Sequence, residues 1–293
     1  MYSVLHAIND SVNIEMQTHY FPLSLAREYG RATQAYWSLT SPTHLVLFVH
    51  GFGGDPVGTW PEFATLLTKR AGLPVFDYIF YGYDGKTTQA NSSALALFNF
   101  LDVLLRKPEA VHKQSLPFSK RAPFQYERVV VVAHSLGALV TRRALLHAAS
   151  MVSSGTPVPW LDSVRMVLFA PAHHGAYVAN LVSAFVVDTP WFLGKLLGYY
   201  LKYRSPLLDD LQPNSTVIKS LKDETDAIKA RLPQPPWYIR ATNVLWAEHE
   251  RVVINAPFCV DAPAGLAVAT DHFGVCKPRD LTNKALEYVW NAL

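Results

Sequence analysis

Apolar residues in this chain gather in short unbroken runs separated by longer stretches with a helical period. Residues 45–49, 76–81, 128–133, 164–170, 237–245 and 265–270 read as strands. Runs that do not alternate with polar residues suit strands of a parallel sheet covered on both faces. Residues 59–70, 87–106, 136–149 and 281–293 read as helices lying between or after them. Such alternation predicts an α/β fold: a mostly parallel central sheet with helices on both faces and a ligand site at the carboxyl ends of the strands. Ahead of Leu45 the pattern is less regular, and one or two antiparallel strands are expected around residues 13–21 and 35–39.

The run Val129-Val130-Val131-Val132 leads through Ala133-His134-Ser135-Leu136-Gly137 into a helix. This small-x-Ser-x-small string has the form of G-x-S-x-G, with Ala for the first Gly, in which a serine sits on a sharp strand-to-helix turn. Small residues two before and two after the serine let strand and helix pack closely while the hydroxyl points out. The plain alternative is a helix N-cap, a common place for serine. A second apolar strand ends in the glycine-rich string His50-Gly51-Phe52-Gly53-Gly54 about eighty residues earlier. Two strand-loop motifs in this order are far more specific than either alone.

An activated serine needs a general base and an acid that orients it. In a strand-elbow-helix protein the expected chain order is Ser, then Asp or Glu, then His. Among the eleven histidines, His173, His174, His249 and His272 follow Ser135, and only His272 follows a strand-like run in the C-terminal region. It is the candidate base. His173 and His174 precede the plausible acids and are expected to line the cleft or cap the next helix. The acid should follow the strand at 237–245. Glu250 is preferred for its Glu250-Arg251-Val252-Val253 turn, Glu248 is the reserve, and Asp261 and Asp271 are weaker candidates.

Four strings together resemble α/β-hydrolases of the lipase-like serine-esterase group that includes GPI-inositol-deacylase-like proteins. They are Phe48-Val49-His50-Gly51-Phe52-Gly53-Gly54 with Thr59-Trp60, Ala133-His134-Ser135-Leu136-Gly137-Ala138-Leu139-Val140, Leu211-Gln212-Pro213-Asn214-Ser215, and Asp271-His272-Phe273-Gly274-Val275-Cys276-Lys277-Pro278. The sequence departs from the group where Pro171-Ala172-His173-His174-Gly175 stands for the usual Thr-Pro-His-x-Gly, and in having Glu as the acid. The resemblance implies the α/β-hydrolase fold, catalytic roles for Ser135, Glu250 and His272, and an oxyanion hole made by the backbone N–H groups of Phe52 and Leu136. It also implies that residues 176–236, the longest interruption of the alternation, form a helical cap within a single 1–293 domain. Residues 176–187 and 191–201 are rich in aromatic and aliphatic side chains, and 216–231 is a charged helix-like stretch. Asp188 and Pro190 break the apolar run before it reaches the roughly twenty residues of a membrane span.

The activity implied is hydrolysis of carboxylic esters with a hydrophobic moiety through an acyl-serine. Thioester hydrolysis or acyl transfer would use the same triad, and a non-catalytic lipid-binding or partner-binding protein is the alternative from another class. Composition narrows the rest. At 293 residues the chain can bury one large core. A net charge of +3, spread without a basic block, does not suit nucleic acid. The expected partner is a small-molecule or lipid ester, with transient contact to a lipid interface. Cys259 and Cys276 are expected to be reduced, and no Cys/His spacing calls for a metal or a cofactor. The first twelve residues lack a basic start and an unbroken apolar core, so no secretory signal and a cytoplasmic location are expected.

Overall fold

The computed structural model describes residues 20–40, 42–115, 124–186, 205–231, 234–258 and 260–293. Among them, eight strands form one sheet: β1 (Tyr20–Ser24), β2 (Gln34–Ser38), β3 (His44–Val49), β4 (Phe76–Tyr81), β5 (Arg128–His134), β6 (Val164–Phe169), β7 (Ala241–His249) and β8 (Gly265–Asp271). Their order is β1-β2-β4-β3-β5-β6-β7-β8. β2 runs antiparallel to β1 and β4, and every neighbouring pair from β4 to β8 is parallel. The helices are α1 (Phe63–Leu67), α2 (Ala90–Arg106), α3 (Pro108–Ser115), α4 (Leu136–Ser153), α5 (Val178–Val186), α6 (Pro206–Asp210), α7 (Thr216–Arg231) and α8 (Lys284–Trp290). This is the expected α/β-hydrolase architecture.

The unbroken apolar runs are explained by the centre of the sheet. Leu45 to Val49 on β3 and Val129 to Ala133 on β5 are fully buried, pairing residue for residue in parallel register. Burying each such side chain stabilises the fold by about 1.5–3 kcal/mol relative to leaving it in water. α2 shows the opposite pattern, a buried stripe at Ala90, Ala94, Leu97, Leu101, Leu104 and Leu105, as expected of a helix with one face on the core. In α4 the residues from Leu136 to Arg142 are all buried, so this helix runs through the interior directly behind the elbow.

Element bounds differ from the sequence reading where tertiary contacts intervene. The helix expected over 59–70 is confined to α1, because the Trp60 N–H is drawn into a turn with the Val57 carbonyl and Pro61 follows. The strand expected over 237–245 lies four residues later, as β7. Trp237 stands outside the ladder, with the guanidinium carbons of Arg165 and Arg240 at 4.5 and 3.9 Å from its ring centre. β7 instead continues to His249, pairing with β8. Of the antiparallel strands expected near the start, the second is β2, and the first appears as β1; residues 13–19 lie outside the described residues. The same is true of residues 187–204, which carry the aromatic stretch of the expected cap, and of Cys259. The described parts of that insertion are α5, α6 and α7, the last with the bounds expected of the charged helix. Among the described residues no helix is long and apolar enough to cross a membrane.

Candidate active site

β5 ends at His134 and α4 begins at Leu136, so Ser135 alone makes the turn. Its φ is 53° and its ψ −119°, a conformation that costs a non-glycine residue on the order of 1–3 kcal/mol. Surrounding bonds hold it there. The Ser135 N–H donates to the Phe169 carbonyl at 3.0 Å, and the Ser135 carbonyl accepts from the N–H groups of Ala138 and Ala172, both at 3.1 Å. The requirement for small neighbours is steric. A Cβ on Gly137 would overlap the Val49 carbonyl oxygen and come within 2.5 Å of that of His50. One on Gly51 would stand 2.9 Å from the Ser135 Cβ.

His272 follows the last residue of β8. The Asp271 carboxylate accepts the N–H groups of Phe273 (3.2 Å) and Gly274 (2.7 Å), forming a turn that projects the intervening His272 toward β5. Its Nε2 lies 3.1 Å from Ser135 Oγ, and its Nδ1 lies 2.9 Å from Glu250 Oε2. The second carboxylate oxygen of Glu250 accepts the N–H groups of Val252 (2.8 Å) and Val253 (3.0 Å). Burial alone would raise the Glu250 pKa. The hydrogen bond and charge of His272, with the two N–H donors, outweigh it and hold the carboxyl below its ordinary value. An ionised Glu250 takes the Nδ1–H of His272, which leaves Nε2 as the acceptor for the serine hydroxyl.

The sequence-derived candidates are thus brought together in one case and separated in the others. Ser135, Glu250 and His272 form a continuous hydrogen-bonded chain. Glu248 lies on β7 itself, exposed, and accepts the Ala269 N–H at 2.7 Å. Asp261 pairs with the buried Arg142 and accepts the Ala241 N–H at 2.8 Å, and Asp271 is occupied in its turn. Glu248 is still within β7 and its carboxylate is taken up by the neighbouring β8 backbone, whereas Glu250 is the first residue beyond the strand. His173 and His174 reach the carbonyls of Ala256 (3.2 Å) and Pro257 (3.0 Å) and bind the 254–258 loop.

Phe52 is buried in the loop after β3. That loop is shaped by His50, whose Nδ1 lies 2.9 Å from the Gly51 carbonyl and whose ring stacks on Tyr83 at 4.4 Å. The Tyr83 hydroxyl donates to the His50 carbonyl at 2.8 Å, and the Gly53 N–H donates to the Gly85 carbonyl at 3.0 Å. Leu136 opens α4, where backbone N–H groups have no intrahelical acceptor and the helix dipole favours negative charge.

Two further features were not read from the sequence. His134 is buried against the base, ring centres 4.7 Å apart, with its Nε2 2.8 Å from the His272 carbonyl oxygen. Burial, then the charge of His272, push its pKa well below the usual histidine value. The ring is neutral and its Nε2–H donates. The turn that holds Glu250 is also laced to the start of the insertion. Tyr177 N–H donates to Val252 O (2.8 Å), Ile254 N–H to Gly175 O (3.1 Å), and Asn180 Nδ2 to Arg251 O (2.6 Å). Ala176 and Val253 form an antiparallel bridge. The Leu211–Ser215 string packs on the same place, Leu211 O accepting the Ala176 N–H at 2.8 Å, and a Cβ on Gly175 would meet Pro213 N at 2.9 Å. Neither contact has a local signature in the sequence. Among the described residues no cluster of His, Cys, Asp and Glu could hold a metal ion.

A sheet of this order with Ser, acid and His just past the ends of β5, β7 and β8 defines a class, and the chain belongs to it: it is a member of the alpha/beta hydrolase family, matching over residues 46–273. The narrower likeness to GPI-inositol-deacylase-like proteins rests on the sequence strings alone. Solved structures share the fold at low identity. A lipase of Bacillus licheniformis in its mature form is 16% identical, with a TM-score of 0.50, over 83% of this chain and 92% of the lipase. An inhibited esterase B of Lactobacillus rhamnosis is 12% identical, with a TM-score of 0.52, over 99% of this chain and 94% of the esterase. A peroxisomal alpha-beta-hydrolase of Saccharomyces cerevisiae is 10% identical, with a TM-score of 0.52, over 88% and 79%. No curated protein matches the chain.

Proposed function

We propose that the protein is a serine hydrolase of carboxylic esters with a hydrophobic moiety. The observation that carries the reading is the chain Ser135 Oγ, His272 Nε2 and Nδ1, Glu250, with spacings of 3.1 and 2.9 Å. His272 takes the serine proton as Oγ attacks the acyl carbonyl. The N–H groups of Phe52 and Leu136 receive the developing oxyanion, and Glu250 holds the tautomer and stabilises the imidazolium. His272 then protonates the leaving alcohol, and an acyl-serine remains. Water, deprotonated by the same imidazole, releases the acid. The strained φ of Ser135 supports the reading, since a serine acting only as a helix cap has no need of it; this serine makes no capping hydrogen bond with its side chain. The lipase and esterase that share the fold agree with this assignment. We place the 176–236 insertion over the site as a cap.

The test is labelling by a fluorophosphonate probe, with hydrolysis of p-nitrophenyl esters from acetate to octanoate measured beside it. The wild type should label and turn over, and Ser135→Ala should do neither while keeping its fold, a loss of several orders of magnitude. Equal labelling of both proteins, or turnover by folded Ser135→Ala, would refute the proposal. Faster turnover of the matched thioesters would shift the substrate class while retaining the triad.

A further inference from the structure

The loop between β1 and β2 meets the loop after β4 on the same carboxyl edge of the sheet that carries Ser135. A cavity of about 670 Å³ opens there, lined by Leu25, Arg27, Arg31, Ala32 and Asp84. Its wall is fixed by backbone contacts. The Arg31 N–H donates to the Gly82 carbonyl at 2.7 Å, and the Gly82 N–H donates to Thr33 Oγ1 at 3.1 Å. Any Cβ on Gly82 would overlap the Arg31 carbonyl oxygen. The Arg31 backbone is therefore held firmly, and Arg27 opens a short 3-10 turn whose Gly30 N–H donates to its carbonyl, which lowers the ordering cost of binding.

The charges of this cavity do not balance. Among the described residues Asp84 is the only acid in its lining, and its oxygens are committed to the adjacent turn, accepting the N–H groups of Lys86 and Thr87 at 3.0 Å and the Thr87 hydroxyl at 2.5 Å. Its contact with Arg31 is long, 3.8 Å, and the Arg31 side chain is 74% exposed. Arg27 is exposed, and while its carbonyl accepts the Gly30 N–H, its side chain has no hydrogen-bond or ion-pair partner among the described residues. Two guanidinium groups thus face one carboxylate that is engaged elsewhere. Their donor forks match the paired oxygens of a carboxylate or phosphate.

The cavity also lies close to the proposed chemistry. Asp84 precedes Gly85, whose carbonyl accepts the Gly53 N–H, and Gly53 follows Phe52. With consecutive Cα atoms 3.8 Å apart and one hydrogen-bonded step between loops, that path is roughly a dozen Å long. We propose that the cavity is an anion subsite, taking a single carboxylate or phosphate carried on the non-reacting end of the ester. This inference rests on the esterase reading for its kinetics, and on the two arginines for its binding.

The experiment compares the p-nitrophenyl monoester of suberate with the octanoate ester, which has the same acyl length and no terminal charge. An ester of 8-phosphonooctanoate forms the third arm. A purely apolar site would strongly disfavour the charged pair. With the subsite, the ratio of kcat/KM for charged over neutral ester should be one or more in the wild type. It should fall at least tenfold in Arg27→Gln/Arg31→Gln and shrink as salt is raised. A preference for the suberate or the phosphonate ester tells which anion is taken. A ratio far below one that the double substitution leaves unmoved would overturn the proposal and make the arginines a solvated face. Titration of suberate into folded Ser135→Ala, with and without the arginine substitutions, reads the site without turnover. Binding lost with the arginines would sustain the anion site even if ester hydrolysis failed, and no binding in either protein would overturn it.

Discussion

His134 donates its Nε2–H to the backbone carbonyl of His272 at 2.8 Å, so the residue before the nucleophile holds the backbone of the base. The elbow and the C-terminal loop, 138 residues apart in sequence, are joined at the atoms where their relative placement matters most. His134→Phe keeps a planar ring and removes the donor. It should lower kcat for p-nitrophenyl acetate by about tenfold or more while KM changes little, since misplacing a base by a fraction of an ångström acts on the chemical step. His134→Gln, which can restore a donor, should recover part of the loss. Equal losses in both variants, matched by equal losses in Tm, would reduce the contact to packing.

The acid can be assigned by substitution. Glu250→Gln should lower kcat by roughly three or more orders of magnitude, because an amide presents the wrong partner to Nδ1–H. Glu248→Gln, on an exposed carboxylate bound to the Ala269 N–H, should stay within a few-fold of wild type. Comparable effects from the two substitutions would remove Glu250 from the triad.

Glycine at 137 is a steric demand, and its removal should be felt in stability as well as rate. Gly137→Ala would drive a methyl group into the carbonyls of Val49 and His50, at a cost of about 1–3 kcal/mol or more. Gly155→Ala is the contrasting case, in open space at a positive φ of 88°, where only backbone strain applies. Chemical denaturation should show a much larger drop in midpoint for the first, with loss of fluorophosphonate labelling confined to it.

Acid should weaken the fold in two windows. Burial depresses the pKa values of His50, His134 and His173, the last two strongly. These rings stay neutral in the native state but take up protons once unfolded, so stability falls as pH drops below the ordinary histidine value of about 6.5. Each full proton contributes a slope of about 1.4 kcal/mol per pH unit. Glu250 adds a separate, lower window. Its stabilising contribution is present above the ordinary carboxylate pKa and is lost as pH falls through its depressed native value. Urea midpoints at pH 7.5, 6.5 and 5.5 test the first window. A flat profile across them would mean that these histidines are not held neutral.

The site was legible in the sequence because each of its members abuts the end of a strand, where chain order and local pattern coincide. The Val129–Val132 run and the flanking small residues marked Ser135, and Asp271-His272-Phe273-Gly274 marked the base. Sequence periodicity starts β7 four residues early because it cannot see that the Trp237 ring takes the guanidinium groups of Arg165 and Arg240 instead of entering the ladder. The observed bounds put Glu250 just beyond β7, beside His272, while Glu248 stays within the strand and accepts the Ala269 N–H. The bond from His134 and the lacing of Gly175–Asn180 to the acid's turn arise only when distant loops pack, so no window of sequence announces them.

That lacing limits how the enzyme could be rebuilt. Because Gly175, Ala176, Tyr177 and Asn180 contact residues 251–254 through their hydrogen bonds and a β-bridge, the first residues of the insertion belong mechanically to the turn that holds Glu250. A graft that replaces the middle of this insertion should therefore splice after Leu181 and before Pro206, leaving the Leu211 contact to Ala176 in place. Cutting at Gly175 would remove those bonds and loosen the turn that holds Glu250 against His272.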